Sequence, residues 1–134
     1  MIVMDSNVLV AALRSRTGSS RVLLQEVLLG RCPAGVSVPL FLEYEAVLTR
    51  KQNLEAFGLN YAEVKEFLNG LAGVLKPIEI TYLWRPQLSD ASDEMVLEAA
   101  VNGKVTHLIT WNTRDFFPAA EYFRLKVCRP EEYI

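Results

Sequence analysis

A chain of 134 residues, 51% hydrophobic and 22% charged, has the size and composition of one globular domain with a proper core. Its apolar runs are too short to span a bilayer and no basic n-region precedes them, so the protein is expected to be cytoplasmic, unprocessed and not membrane-bound. With 14 basic and 16 acidic residues the net charge is −2, which lacks the basic excess usual in nucleic-acid binders.

In chain order, Ile2, Val3 and Met4 predict a short strand buried on both faces, as in the middle of a parallel sheet. Asp5, Ser6 and Asn7 follow at once, and Val8 to Leu13 opens a helix. An acid at the end of a central strand lies at the carboxyl edge of the sheet, where open α/β folds place ligands. Three oxygen-bearing side chains in a row suit a hard cation. Capping of the helix by Ser6 or Asn7 accounts for them equally well.

Ser19 or Ser20 is expected to cap a helix from Arg21 to about Gly30, and Val36 to Val38 a short strand stopped by Pro39. The next helix, Leu40 to about Arg50, turns Leu40, Tyr44, Val47 and Leu48 to the core. Glu43 and Glu45 lie about 200° apart on it, so one spot cannot hold both. Glu43 is nearer the carboxyl edge and is the candidate, although an acid early in a helix is also favoured by the helix dipole. Glu45 with Thr49 suits a solvated face.

Arg50 to Leu59 reads as a polar break. Asn60 and Glu63 form a capping box for a helix from Tyr61 to about Ala72, ended by Gly73. A helical hairpin inserted at about 40–73 follows, a clamp over the site or a dimer surface. Extended segments are expected around Pro77, then a loop with Trp84, whose ring is placed in the core rather than against a base.

Asp90, Asp93 and Glu94 stand before and within the first turn of an apolar helix from Met95 to Asn102. One acid suffices for a cap, and crowded carboxylates raise one another's pKa unless a cation compensates. Asp93 is the first choice, with Asp90 or Glu94 as substitutes. Thr106 to Thr110 is a buried strand, and Trp111 to Phe117 again brings an amide, Asn112, and an acid, Asp115, to a strand end. A last strand spans Phe123 to Cys128. His107 is assigned to the opposite edge, and Cys32 and Cys128 are expected as buried thiols.

Alternating strands and helices predict an α/β fold: a three-layer α/β/α sandwich on a mostly parallel sheet of four to five strands, spanning 1–134 as one domain. Without a phosphate loop or a His-based pair, metal-assisted chemistry remains. Clustered carboxylates suit Mg²⁺ or Mn²⁺ rather than zinc. Assigning four acids to a metal site would leave the rest of the chain at +2.

Four segments then resemble one family. Met4-Asp5-Ser6-Asn7-Val8-Leu9-Val10 is similar to the opening motif of the PIN-domain ribonucleases, in particular the VapC-like toxins of prokaryotic toxin–antitoxin pairs. Pro39 to Arg50, with Glu43-Tyr44-Glu45-Ala46-Val47-Leu48-Thr49-Arg50, resembles the second motif. Asp90-Ala91-Ser92-Asp93-Glu94 with Leu97-Glu98-Ala99-Ala100 resembles the third, and Leu108-Ile109-Thr110-Trp111-Asn112-Thr113-Arg114-Asp115-Phe116 the fourth. Order and spacing match over nearly the whole chain.

The resemblance implies a PIN-like fold and a metal-dependent endoribonuclease in which Asp5, Glu43, Asp93 and Asp115 bind Mg²⁺ or Mn²⁺, with Asn7, Thr110 and Asn112 as polar support. Asn112 stands where many relatives carry Asp. Arg14, Arg16 and Arg114 would contact RNA. A cognate antitoxin and a homodimer are the implied partners. Alternatives are a PIN-like module that binds RNA or protein without catalysis, or an aspartate-dependent phosphatase or receiver. Those last two need a Lys near the final strands, and Lys126 points the wrong way for it. The phosphatase also needs an Asp where Asn7 stands.

Overall fold

The computed structural model describes residues 1–82 and 88–134. Trp84 lies outside the described residues. Among those described, strands β1 (Ile2–Met4), β2 (Gly35–Val36), β3 (Lys76–Pro77), β4 (His107–Ile109) and β5 (Lys126–Cys128) all run parallel. β4 lies between β1 and β5, with Val3 opposite Leu108 and Leu108 opposite Val127. β2 pairs with β3, and a single parallel bridge from Ile2 to Ala34 joins that pair to β1. The resulting order is β3-β2-β1-β4-β5.

The helices are α1 (Ser6–Arg14), α2 (Ser19–Leu28), α3 (Val38–Leu48), α4 (Lys51–Phe57), α5 (Tyr61–Val74), α6 (Ala91–Asn102), α7 (Ala119–Tyr122) and α8 (Pro130–Tyr133), with a 3-10 turn over Thr113–Phe116. They layer the sheet in an α/β/α fold, with α6 packed on β1 and β4. β1 and β4 supply a fully enclosed core through Ile2, Val3, Met4, Leu108 and Ile109. No described helix is long and apolar enough to cross a membrane.

Several local expectations shift. α1 begins at Ser6, directly after Asp5, because neither Ser6 nor Asn7 is needed as a cap. Gly18, not Ser19 or Ser20, occupies the N-cap of α2. Ser37 is no strand residue: its Oγ accepts from the Leu40 amide at 3.2 Å and caps α3, with Pro39 in the first turn. The polar stretch after Arg50 holds α4, which Gly58 closes in the left-handed region at φ +69°. α4 buries no residue completely, so its periodicity is faint. The Asn60–Glu63 capping box forms as the spacing predicts. β3 stops at Pro77, and β5 is shortened to three residues because α7 precedes it.

Chain order and strand order diverge at one place. From β1 the chain moves outward through β2 to β3, then crosses by way of α6 to β4 on the other side of β1. The crevice of a parallel sheet opens at such a switch point, outside the carboxyl ends of the strands. Here that is the gap between the ends of β1 and β4, where Asp5 and Thr110 stand.

Candidate active site

Asp5 continues the ladder one step past β1, its amide donating to the Ile109 carbonyl at 2.9 Å. Its backbone occupies the N-cap of α1, yet its carboxylate makes no capping bond. Oδ2 instead accepts from the Thr110 hydroxyl at 2.8 Å, and the Ser6 hydroxyl reaches Oδ1 at 3.5 Å. Only 6% of Asp5 is exposed. Burial raises its pKa, against the opposing pull of Thr110 and of the Ser6 and Asn7 amides.

The Thr110 hydroxyl is a hub. Besides donating to Asp5 it accepts from Asn7 Nδ2 at 3.3 Å and from the Asn112 amide at 3.1 Å. One proton and both lone pairs are then used. Asn7 Oδ1 accepts from the Trp111 amide at 3.2 Å, which fixes the orientation of the Asn7 side chain. Thr110, itself fully buried, so ties β1, α1 and the segment after β4 together.

Asp93 lies in the first turn of α6. Its pKa is raised to about 7, chiefly by burial and then by the carboxylates of Asp5, Asp90, Asp115 and Glu94. Asp115, exposed on the 3-10 turn, therefore belongs to the same field as Asp5 and Asp93. Asp90 and Glu94 also have local duties. Asp90 caps α6 through the Ser92 amide at 2.8 Å, and the buried Glu94 accepts from the Leu88 amide at 2.6 Å.

Glu43 is half-buried on α3 and is not among the carboxylates acting on Asp93. Its helix is nevertheless fastened to the site, because the neighbouring Tyr44, fully buried, donates its hydroxyl to the Met4 carbonyl. Glu45 is no merely solvated residue: it pairs with Lys65 and links α3 to α5. Arg14 and Arg16 are not brought to the crevice. α1 starts at Ser6, just after Asp5, and runs nine residues to Arg14, carrying it about 12 Å along the helix. Arg114, exposed on the 3-10 turn, stays close.

Among the described residues no Lys or Arg forms an ion pair with Asp5, Glu43, Asp93 or Asp115. Nor do three His, Cys, Asp or Glu groups stand in a closed ligand cluster there. An excess of negative charge that burial alone cannot stabilise is the environment a hard cation would relieve. The donor set fits a divalent ion bound by oxygen ligands.

Three features escaped the sequence. Tyr44 reads as an ordinary core aromatic, and nothing local marks its hydroxyl as a brace for the end of β1. The Trp111 indole donates to the buried Ser20 Oγ at 2.9 Å, which fastens the segment after β4 to α2. A cavity of about 290 Å³ is lined by Trp111, Asn112, Thr113, Arg114, Asp115 and Arg129. Its last member comes from the chain beyond β5, which no motif points to.

The fold resembles two solved structures over almost their full lengths. One is FitAB bound to an IR36 DNA fragment, with a TM-score of 0.62 at 17% identity, covering 97% of this chain and 95% of that one. Another is FitAcB from Neisseria gonorrhoeae, with a TM-score of 0.55 at 19% identity, covering 98% and 99%. At such identities the likeness shows the fold. No curated protein matches the sequence. The PIN-domain profile, however, matches residues 1–114, which carry the first three motifs, the fourth as far as Arg114, and the crevice between β1 and β4: the chain belongs to the PIN-domain family.

Proposed function

We propose that this protein is a Mg²⁺- or Mn²⁺-dependent endoribonuclease acting as the toxin of a type II toxin–antitoxin pair. The observation that carries the reading is a pair of carboxylates at the carboxyl edge with no ion-pair partner among the described residues: Asp5 held by the Thr110 hydroxyl, and Asp93 in the first turn of α6, in the field of Asp5, Asp90, Asp115 and Glu94. Asp5, Asp93, Glu43 and Asp115 would hold the metal, with Asp90 or Glu94 as substitutes. When bound, such an ion lowers the pKa of water and stabilises charge on a phosphodiester in transit.

The chain's own residues prepare for that. Thr110 fixes the orientation of the Asp5 carboxylate and withholds one of its lone pairs, and Asn7 locks Thr110 in turn. Tyr44 holds the Met4 carbonyl and so the backbone that delivers Asp5. Asp115 or Asn112, on the exposed side, would orient the attacking water or a second ion. Among the described residues no ion pair with Lys or Arg ties up Asp5, Glu43, Asp93 or Asp115, which leaves them available to a cation. A cognate antitoxin, a homodimer and a cytoplasmic location follow from the family resemblance.

The test is cleavage of a mixed RNA pool with Mn²⁺, with Mg²⁺ and with chelator, beside the Asp5→Asn and Asp93→Asn variants. Metal-dependent cutting that both variants lose supports the assignment. A wild-type protein that neither cuts nor gains thermal stability with either metal leaves a binding module, and the catalytic reading fails.

A further inference from the structure

The cavity behind the 3-10 turn is not needed to hold a metal, yet it adjoins the acids through Asp115, which lines it and also acts on Asp93. Its walls come from the chain after β4 and the residue after β5, so both sit at the carboxyl edge that bears Asp5. Arg114 forms no ion pair among the described residues. Arg129 meets Glu131 at 3.6 Å with both side chains half-exposed, a contact that water leaves weak and easily exchanged. Among the cavity's lining residues two guanidiniums thus accompany one carboxylate, with Glu131 only loosely engaging Arg129 from outside the lining.

The chemistry of the lining is specific. Guanidinium forks match phosphate oxygens in pairs and are weakly hydrated, so they give up water readily. Thr113 and Asn112 add short polar groups. Trp111 supplies an aromatic wall that cannot swing away, because its indole N–H is bound to Ser20 and its amide to Asn7. An aromatic ring beside a phosphate site is the usual means of holding a single-stranded base without reading its sequence. The volume stands at the lower limit of small-ligand sites.

We propose that this cavity is a subsite for the nucleotide next to the scissile bond of a single-stranded RNA, with Arg114 and Arg129 on its phosphate and Trp111 against its nucleoside. The identity of the strand rests on the ribonuclease reading. The subsite explains how a chain of net charge −2 engages a polyanion: it places two cations beside the acids instead of spreading many over the surface. It also moves the binding role away from Arg14 and Arg16, which lie at and just beyond the end of α1 remote from Asp5.

The test reads binding without cleavage. A fluorescein-labelled 2′-O-methyl RNA octamer, titrated with the full chain in chelator, gives Kd by anisotropy at several salt concentrations. Arg129→Ala and Arg114→Ala should each weaken binding about tenfold, the loss of one charge-assisted contact. Each should also lower the salt slope by about 0.7. Arg129→Lys should fall between, since it keeps the charge and loses the fork. Arg31→Ala, before β2 and at the far edge, should bind as wild type, and melting curves confirm that all variants fold. A wild type that does not bind the octamer, or Arg129→Ala and Arg114→Ala variants that bind within twofold of wild type, overturns the subsite. Arginine-dependent binding by a protein that never cleaves sinks the nuclease reading alone. Undiminished binding in both variants together with metal-dependent cleavage sinks the subsite alone.

Discussion

Replacing Asp93 with Asn should stabilise the metal-free protein while ending its cleavage. The Asp93 carboxyl is raised from 3.8 to about 7, by burial first and then by Asp5, Asp90, Asp115 and Glu94. A carboxyl with a higher pKa folded than unfolded keeps its proton longer in the native state. Between pH 3.8 and about 7 the unfolded chain therefore binds fewer protons, and stability falls as pH rises. Above 7 the loss is complete. Unscreened, the displacement corresponds to about 4 kcal/mol. Asp93 is partly open to solvent, and screening reduces this to about 1–2 kcal/mol. Asn keeps the shape and removes the charge. Urea unfolding in chelator should show the variant's advantage widening from about pH 4 to 7 and level beyond that. With Mn²⁺ added, the wild type should gain stability and the variant should not. An advantage that is absent at pH 8, or constant with pH, would refute the crowding of carboxylates around Asp93.

Three further perturbations probe the same frame. Thr110→Val deprives Asp5 Oδ2, Asn7 Nδ2 and the Asn112 amide of their common partner and should cost about 2–3 kcal/mol in urea unfolding, which Thr110→Ser should largely restore. Tyr44→Phe removes a buried donor from the Met4 carbonyl; a loss of about 1–2 kcal/mol with reduced metal-dependent cleavage is expected, and unchanged stability would show that the bond does not brace β1. Glu45→Ala breaks the half-exposed pair with Lys65 and should cost under about 1 kcal/mol with cleavage retained, whereas Glu43→Gln, two residues away, should abolish cleavage without loss of fold.

The acids at strand and helix ends were legible because local rules place them there. A continuous apolar triplet such as Ile2 to Met4 makes a central strand, and whatever follows lands at the carboxyl edge. The core positions of α3 followed in the same way from helical spacing: Leu40, Tyr44, Val47 and Leu48 are all buried. Local rules fail where tertiary contacts choose between equal options. Either Ser19 or Ser20 could cap α2, but Ser20 is claimed by the Trp111 indole 91 residues away, and Gly18 takes the cap. The bond between Asp5 and Thr110 spans 105 residues and depends on strand order, which periodicity does not encode. α4 hid because it buries nothing completely, and Arg129 because the cavity joins two segments that no motif connects.

The site's instability and its chemistry have one origin. The buried Asp5 carboxylate accepts from the Thr110 and Ser6 hydroxyls, and Asn7 holds Thr110 in turn, so these donors are fixed before any ligand arrives. Among the described residues Asp93 has no such support: Asp90 caps α6 and Glu94 accepts from the Leu88 amide, and both still repel it. Burial pushes both carboxyls towards their protonated forms, but neutral donors oppose that push at Asp5, whereas neighbouring carboxylates add to it at Asp93. A cation entering between them would restore the charge of Asp93 and relieve the repulsion among these carboxylates, so metal affinity and the cost of crowding should rise and fall together across variants of these acids. Substitutions that ease the crowding without touching Asp5, such as Asp90→Asn, should stabilise the chelated protein and weaken Mn²⁺ binding in the same proportion.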